Sequence, residues 1–348
     1  MPAPLRKGWF VALVAVALVA CGGGGGEPSV EEDIPPVPPP YFIAVGSGVL
    51  TSSDGADWTR IVWAEGDGTL NLTGAASGNG RLAVVGLEGS IGASDEAGGW
   101  MVIERDPGAF FGASDVAFGA GRFVAVGEEF NPDFGLQAVI RTSPDGVEWS
   151  QVDSGRPGLA AVTHGKGMFV AAGAGFVATS ADGIAWAPSP FDASRQLFAI
   201  AYGDDRFVIT GGHGSVFTSS DGVEWTSRDS GVSGVTFLRG VAHGGGLFVA
   251  VGDEYDATAK RSVSTIITST DGADWTVRHS GASQSLSDVA YGDGTFVVIG
   301  RHETTDENGN VTSAVPIALT SRDGTAWETV EIAEDIWLNG VAYRPAAN

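Results

Sequence analysis

A hydroxyl, a carboxylate and an indole occur together, within eight residues, at seven places in the chain. The copies are "TSSDGADW" (51–58), "ASDEAGGW" (93–100), "TSPDGVEW" (142–149), "TSADGIAW" (179–186), "TSSDGVEW" (218–225), "TSTDGADW" (268–275) and "TSRDGTAW" (320–327). A carboxylate beside a hydroxyl could bind calcium or take part in catalysis. Seven equivalent copies argue against both, because an active site needs a single asymmetric arrangement of groups.

We therefore predict that the phrase builds a β-hairpin. The Ser/Thr and Asp side chains would bond to turn backbone groups, Gly would supply a positive φ, and Trp would pack beside the hairpin. The residues with this structural role are Asp54, Trp58, Asp145, Trp149, Asp182, Trp186, Asp221, Trp225, Asp271, Trp275, Asp323 and Trp327. The second copy, "ASDEAGGW", has shifted acids, so a distorted hairpin is expected there.

The hairpin phrase belongs to a repeat with the length of a four-stranded propeller blade. Successive tryptophans of the phrase lie 37 to 52 residues apart. Each copy follows a buried-strand phrase such as "FVAVG" (123–127), and a strand ending in "VAYG" or a variant of it precedes six of these. These phrases define strands A, B, C and D of one blade.

The first unit lacks strand A, whereas "LNGVAYRPAAN" (338–348) is a strand A with nothing after it. The last strand would therefore complete the first blade and remove an open sheet edge. The predicted fold is all-β, a seven-bladed β-propeller of four-stranded antiparallel blades, over residues 41–348.

The pattern Ser/Thr-x-Asp-Gly-x-x-Trp resembles the Asp-box, or BNR repeat, of sialidases and other β-propellers. It is a variant, because it lacks one residue between Asp and Gly. The resemblance covers residues 42–348 as an architecture and implies a propeller fold. It implies no catalytic residue, since the Phe/Tyr-Arg-Ile-Pro segment of sialidases does not occur. Arg81, Arg122 and Arg206 recur at one turn position and are interpreted as part of the repeat.

The first forty residues are predicted to export and tether the protein. Residues 1–20 have a basic start and an apolar stretch too short to span a bilayer, as in a signal peptide. "LVAC" (18–21) resembles the lipobox of bacterial lipoproteins, which implies lipidation of Cys21, with an ordinary secretory signal as the alternative. Gly22 favours the outer membrane or cell surface over the inner membrane. Residues 21–40 read as a Gly/Pro-rich tether.

Composition limits the partners. The formal net charge of −23 makes nucleic acid a poor partner. The acids could attract cations, or simply solvate a glycine-rich surface. Cys21 is the only cysteine, so no disulfide forms within the chain. We expect a monomer without a cofactor or metal. His164 and His243 are not expected to form a metal site, because they replace aromatic residues of the repeat on blades that are not adjacent. They are interpreted as packing substitutes.

Sequence variation directs the search for a ligand site to one face of the ring. Three links between strands B and C are long, namely 128–138, 253–264 and 301–314; the last contains Asn308-Gly309 and is predicted to be an extended hairpin. Strand A should be innermost, so its first residues should surround the channel mouth. The candidate ligand residues there are Asp115, Arg239, Asp288, Trp337 and Asn339.

The resulting hypothesis is a lipid-anchored, non-enzymatic propeller of the cell envelope that binds or scaffolds a protein or a glycan. The alternatives are a sialidase-like glycoside hydrolase, and an assembly factor of a membrane complex, by similarity to photosystem II assembly propellers. These alternatives rest on similarity of fold.

Overall fold

The computed structural model describes residues 41–61, 70–94, 99–104, 111–133, 135–156, 158–234, 236–258, 260–306 and 310–346. These residues form 28 strands and one short 3-10 turn, Gly212–Gly214. In chain order the first fourteen strands are β1 (Tyr41–Gly46), β2 (Val49–Ser52), β3 (Thr59–Ile61), β4 (Leu72–Gly78), β5 (Arg81–Gly86), β6 (Ile91–Ser94), β7 (Trp100–Glu104), β8 (Phe111–Gly119), β9 (Arg122–Asn131), β10 (Gly135–Ser143), β11 (Ser150–Arg156), β12 (Leu159–Gly165), β13 (Met168–Gly173) and β14 (Phe176–Ser180).

The remaining strands are β15 (Ala187–Asp192), β16 (Leu197–Gly203), β17 (Arg206–Gly211), β18 (Val216–Ser219), β19 (Thr226–Arg228), β20 (Phe237–Gly244), β21 (Leu247–Asp256), β22 (Arg261–Ser269), β23 (Thr276–Ser280), β24 (Gln284–Gly292), β25 (Thr295–Thr305), β26 (Val311–Ser321), β27 (Glu328–Glu331) and β28 (Leu338–Arg344).

The strands form seven antiparallel sheets of four, which confirms the predicted seven-bladed β-propeller. Blades 2 to 7 each contain four consecutive strands, starting with β4, β8, β12, β16, β20 and β24. Each of these first strands contacts the first strand of the next blade, and β28 contacts both β24 and β4. The first strands therefore surround the central channel.

Blade 1 is closed by the last strand of the chain, as predicted. Its order is β28-β1-β2-β3, and β28 pairs with β1 in antiparallel register, with Phe42 opposite Tyr343. The ring closes through a complete strand ladder, so neither β1 nor β28 leaves an unpaired edge at this junction.

The hydrophobic core lies between the blades. Seven buried clusters are present among the described residues, and each one joins two neighbouring sheets. In one of them, Phe123 and Val139 of blade 3 pack against Ala83 and Val85 of blade 2. The strand B phrases predicted to be buried on both faces supply most of these side chains, since each sheet is covered by a sheet on either side.

Close packing of glycine against an aromatic ring joins six of the seven neighbouring blade pairs. A Cβ placed on Gly203 of blade 5 would lie 2.0 Å from the ring of His243 of blade 6. The same approach, at 2.0 or 2.1 Å, occurs in five other pairs: Gly78 with Phe118, Gly119 with His164, Gly165 with Tyr202, Gly244 with Tyr291, and Gly292 with Tyr343. Each ring also packs on the strand B phenylalanine of its own blade.

The seventh pair, blade 1 with blade 2, lacks this contact between glycine and an aromatic ring. Blade 2 has Ser77 where the other blades have the aromatic ring, and blade 1 has Arg344 where the others have glycine. The Arg344 guanidinium donates to the Gly80 carbonyl (2.7 Å) and to the Tyr41 hydroxyl (3.1 Å) and is buried. A large residue on one side of the interface thus accompanies a small residue on the other.

The repeated phrase forms the predicted hairpin between the third and fourth strands, and we call it the box. In the first box, Ser52 Oγ donates to Asp54 Oδ1 (3.0 Å) and accepts from Gly55 N (2.8 Å). Asp54 Oδ1 also accepts from the amides of Ala56 and Asp57, and Trp58 Nε1 donates to the Gly55 carbonyl (3.0 Å). The same Ser-to-Asp bond recurs at Asp145, Asp182, Asp221, Asp271 and Asp323.

The box residues pack against the preceding blade. A Cβ on Gly55 would lie 2.4 Å from Val297 of blade 7, and Trp58 packs on the cluster that joins blades 7 and 1. The box therefore contributes to the contact between blades as well as to its own hairpin. In the second copy, residues 95–98 lie outside the described part, and Ser94 Oγ accepts from Leu82 N (3.0 Å) of the adjacent strand.

The connections divide between two faces of the ring. The box face carries the boxes and the turns between first and second strands. The loop face carries the links between second and third strands and those between blades. The three long links of the loop face are hairpin extensions, formed by β9/β10, β21/β22 and β25/β26. A hairpin was predicted for the link 301–314, of which residues 307–309 lie outside the described part. The predicted signal peptide, Cys21 and tether also lie outside it.

Replacing Gly203 with alanine should destabilise the ring, because the new methyl group would overlap the His243 imidazole. We expect Gly203→Ala to lower the free energy of unfolding by about 2–3 kcal/mol, the range for overpacking in a tight core. The matched control is Gly234→Ala, whose Cβ would meet nothing within 4 Å and should change the free energy by less than about 0.5 kcal/mol. Urea unfolding measures both; equal stability of the two variants would contradict the packing argument.

Candidate functional site

Four of the five predicted ligand residues line one cavity at the channel. Asp115, Arg239, Asp288 and Asn339 surround a space of about 270 Å³, together with small and aliphatic residues of the first strands. They meet because each lies on the innermost strand of its blade, Arg239 and Asn339 near the start of the strand and Asp115 and Asp288 at its middle. The fifth, Trp337, lies outside this cavity. Whether these residues bind a ligand stays a prediction.

The two channel aspartates join neighbouring blades. Asp115 of blade 3 accepts from its neighbour Val116 N (2.7 Å) and from Val162 N of blade 4 (2.9 Å). Asp288 of blade 7 accepts in the same way from Val289 N (2.8 Å) and from Val341 N of blade 1 (2.9 Å). Both oxygens of each carboxylate are therefore engaged by backbone amides.

Glycine in the preceding blade makes room for each aspartate. A Cβ on Gly74 of blade 2 would lie 3.1 Å from Asp115 Oδ1, and one on Gly240 of blade 6 would lie 2.9 Å from Asp288 Oδ1. Three successive blades thus contribute to each clamp: the glycine, the carboxylate and the amide that it binds. We call these two arrangements the aspartate clamps.

Burial raises the pKa of both channel carboxyls to about 7. Hydrogen bonds from the two backbone amides oppose that rise, and for Asp115 the negative charge of Asp288 adds to it. Both side chains line the channel cavity and are half-buried. Near neutral pH the clamps therefore hold a mixture of ionised and protonated forms.

The other two predicted residues of this cavity, Arg239 and Asn339, are also engaged. Arg239 Nε donates to Asp253 Oδ1 (2.7 Å), a buried carboxylate at the base of the β21/β22 hairpin. Asn339 Nδ2 donates to the Leu72 carbonyl (2.8 Å) of the next blade. The residues that differ between blades at this position thus form a contact within blade 6, between Arg239 and Asp253, and a contact between blades 1 and 2, between Asn339 and Leu72.

Trp337 lies in the link that enters β28 and is 57% exposed. Its backbone is fixed by Ser47, whose Oγ accepts from Trp337 N (3.0 Å) and whose N donates to the Trp337 carbonyl (2.9 Å). The Arg301 guanidinium lies 5.1 Å from the centre of the indole ring. An amphipathic ring held at one place on the loop face is suited to contact a partner.

Exposed apolar side chains concentrate on the loop face. Eight large hydrophobic residues are exposed in the described part of the chain, and six of these are on the loop face: Leu87, Phe130, Phe237, Tyr255, Val311 and Trp337. The other two, Ile184 and Val277, are on the box face. Sequence reasoning missed five of the six. Phe130, Tyr255 and Val311 could have been found, because they lie within the long links that it singled out.

The recurring arginines lie on the box face. They begin β5, β9 and β17, and a Cβ on Gly183 of the next box would lie 3.1 Å from the Arg122 side chain. Burial opposes the lowering of the Asp145 pKa, which the amides of its own turn, the Ser143 hydroxyl and, to the smallest extent, the positive charge of Arg81 produce. These arginines therefore accompany the boxes of neighbouring blades and form no cluster at the channel.

His164 and His243 are packing groups of the blade interfaces, as interpreted from the sequence. Their rings lie 4.8 and 4.5 Å from Phe169 and Phe248, on blades 4 and 6. Burial lowers the pKa of His164. Among the described residues no three His, Cys, Asp or Glu side chains come close enough to hold a metal ion. No helix in that part of the chain is long and apolar enough to cross a membrane.

The aspartate clamps predict a pH dependence of stability. Because folding raises the pKa of Asp115 and Asp288 above the ordinary value of 3.8, the folded state binds more protons between about pH 4 and pH 7. The stability that this proton binding contributes is complete below the unfolded pKa and is lost as pH rises through 7. The melting temperature should therefore fall more steeply between pH 5 and 8 in the wild type than in Asp115→Asn/Asp288→Asn. Parallel slopes in thermal unfolding would contradict the shifts.

Solved structures of other propellers share the fold. YCF48 bound to a D1 peptide aligns with a TM-score of 0.55 at 14% identity, covering 75% of this chain and 85% of that one. YCF48 from Cyanidioschyzon merolae aligns with a TM-score of 0.53 at 17% identity, covering 75% and 88%. A chain of the mitotic checkpoint complex aligns with a TM-score of 0.53 at 10% identity, covering 95% and 93%. No family model and no curated protein matches the sequence. At these identities the comparisons establish that the chain is similar to β-propellers in fold.

Proposed function

We propose that this propeller is a non-enzymatic docking module that binds a partner protein on its loop face. The observation that carries the proposal is the distribution of exposed apolar side chains: six of eight are on that face. Three of them, Phe130, Tyr255 and Val311, are on the three hairpins that rise above the ring. Exposed apolar and aromatic groups gathered on one side of a soluble fold are typical of a protein-binding surface.

The rigidity of the supporting ring favours this role. The hairpins continue strands that pair along their whole length in blades 3, 6 and 7, so the paired parts of these hairpins are held by the sheets beneath them. A pre-organised surface loses little conformational entropy on binding. The propeller of YCF48, which has the same fold, is described in a complex with a peptide.

The engaged state of the channel carboxylates supports a non-enzymatic role. A glycoside hydrolase needs an acid and a second carboxylate that face the sugar. Here both oxygens of Asp115 and Asp288 accept backbone amides. These two carboxylates are therefore poorly placed to act on a sugar. A sialidase-like hydrolase, a glycan ligand and a role in assembling a membrane complex stay alternatives.

Removing three loop-face aromatic side chains should weaken partner binding. In Phe130→Ser/Tyr255→Ser/Trp337→Ser we expect affinity to fall at least tenfold, because aromatic anchors dominate such interfaces. The control Ile184→Ser/Val277→Ser removes exposed apolar groups from the box face and should bind normally. Quantitative mass spectrometry of proteins that co-purify from envelope extracts compares the variants.

Three results would contradict the docking proposal. The box-face control could lose the partner while the loop-face variant keeps it. The protein could bind glycans on an array with the same dependence on the loop-face residues. It could hydrolyse a fluorogenic glycoside, with turnover lost in a loop-face carboxylate variant.

We propose further that the docking module is held at the cell envelope by lipid on Cys21. The support is the sequence alone: "LVAC" follows an apolar stretch of signal-peptide length, and Cys21 is the only cysteine. The segment 22–40 that separates Cys21 from the first strand is rich in glycine and proline. Two or three acyl chains would give durable anchoring in the outer membrane or at the cell surface.

Cys21→Ala should accumulate as an unprocessed precursor, since the processing step requires lipid on the cysteine. The wild type should incorporate a labelled fatty acid and separate with the membranes, whereas the variant should not be labelled. Normal processing of Cys21→Ala, or an unlabelled wild type, would contradict the anchor and would leave the docking proposal unaffected.

A further inference from the structure

A second cavity lies on the loop face above blade 5, apart from the channel. It has a volume of about 350 Å³ and is lined by Ser194, Arg195, Gln196, Gly212, His213 and Phe237. Three segments supply these residues: the link between blades 4 and 5, the short turn between β17 and β18, and the start of β20. None of the lining residues is shared with the channel cavity.

Glycine at position 212 makes the floor of this cavity. Gly212 N donates to the Gln196 carbonyl (2.9 Å), which fixes the turn against the preceding link. A Cβ on Gly212 would lie 3.7 Å from the ring of Phe198 and 3.8 Å from that of Phe237. A longer side chain there would occupy the space beside both rings. The cavity therefore has an aromatic wall, which the 37% exposed Phe237 presents to solvent.

His213 forms a polar wall in a fixed orientation. It has φ 60° and is followed by Gly214 at φ 65°, as expected for a two-residue turn between twisted strands. His213 Nδ1 lies 2.8 Å from the Gly234 carbonyl, and because a carbonyl only accepts, Nδ1 carries the proton. The ring lies 6.3 Å from Phe237.

Arg195 is a free cation at the rim of the cavity. It is exposed and has no hydrogen bond or ion pair with the residues that the structure describes. Arg239, in the first strand of blade 6, differs because it is paired with Asp253. None of the six lining residues is acidic, although the chain has 42 acidic and 19 basic residues. The nearby Glu254 does not line the cavity and accepts hydrogen bonds from Ser233 and Thr236.

We propose that this cavity binds a carboxylate attached to an aromatic or branched aliphatic group. Arg195 pairs with the carboxylate, as an unengaged guanidinium does with planar oxyanions. The apolar part of the ligand lies on Phe237, in the space left by Gly212. This site does not depend on the docking proposal, because Phe130, Tyr255 and Trp337 do not line it.

The test uses three small probes with the purified protein: N-acetyl-L-phenylalanine, its amide, and 3-phenylpropanoate. Calorimetry and amide chemical shifts should show that both acids bind at the amides of residues 212, 213 and 237. The neutral amide should bind about tenfold more weakly, since it cannot form the charge-assisted bond. Tighter binding of N-acetyl-L-phenylalanine than of 3-phenylpropanoate would identify the ligand as the C-terminal carboxylate of a peptide. Equal binding of the two would identify it as a free organic acid.

Variants separate the two halves of the site. Arg195→Gln should weaken both acids about tenfold and leave the amide unchanged, whereas Gly212→Leu should abolish binding of all three by filling the cavity. His213→Asn is a second variant whose side chain suits the turn, so its fold should be intact. Arg322→Gln, the same charge change on the box face, should bind like the wild type.

The proposal is overturned if acid and amide bind equally, if no probe binds, or if Arg322→Gln weakens binding as much as Arg195→Gln. A loss of binding in the loop-face triple variant, with Arg195→Gln unaffected, would also overturn it and would place the probes on the docking surface instead.

Discussion

The ring depends on one steric constraint: first strands of neighbouring blades approach so closely that an aromatic ring occupies the place of a missing Cβ. Six of the seven blade pairs are built this way. Each ring is held between the glycine of the preceding blade and the strand B phenylalanine of its own blade. One side chain therefore fixes the positions of three strands, two of which belong to one sheet and one to its neighbour. The recurring "VAYG" phrase reflects this constraint: its aromatic residue packs against the preceding blade, and its glycine packs against the aromatic ring of the next blade.

The junction that closes the ring is held by side-chain hydrogen bonds as well as by strand pairing. Besides its ladder with β1, β28 receives Asp288 from blade 7 at Val341 N, and its Arg344 reaches the Gly80 carbonyl of blade 2. A carboxylate between strands and a buried guanidinium both lose hydration on folding. Their hydrogen bonds to backbone groups of neighbouring blades offset that cost only when the ring is closed. These interactions therefore favour the closed register over any arrangement in which β28 is detached.

The sequence was sufficient to predict features that repeat, and insufficient for those that occur once. Seven copies of the box and the unpaired strand A phrase at 338–348 determined the blade number and the closure. Position in the repeat also placed Asp115, Arg239, Asp288 and Asn339 at one channel. Their partners were not predictable, since Val162 N and Val341 N lie 47 and 53 residues away and carry no sequence signal. The exchange of Ser77 for an aromatic residue and of Arg344 for glycine is visible in the sequence, but its meaning requires knowing that blades 1 and 2 are neighbours.

The two faces differ in how far their polar groups are already satisfied. On the box face, each of the six described box aspartates is engaged by its own serine and turn amides. The amides of Asp57 and Ala56 hold the pKa of Asp54 below its usual value. Such groups have little capacity left for a ligand, because a new contact must first break an existing bond. On the loop face, the aspartate clamps and the Arg239 ion pair are likewise engaged, whereas Tyr255, Val311 and Arg195 are exposed. Residues that the fold does not need are available for binding, and six of the eight exposed large hydrophobic residues in the described part of the chain are on the loop face.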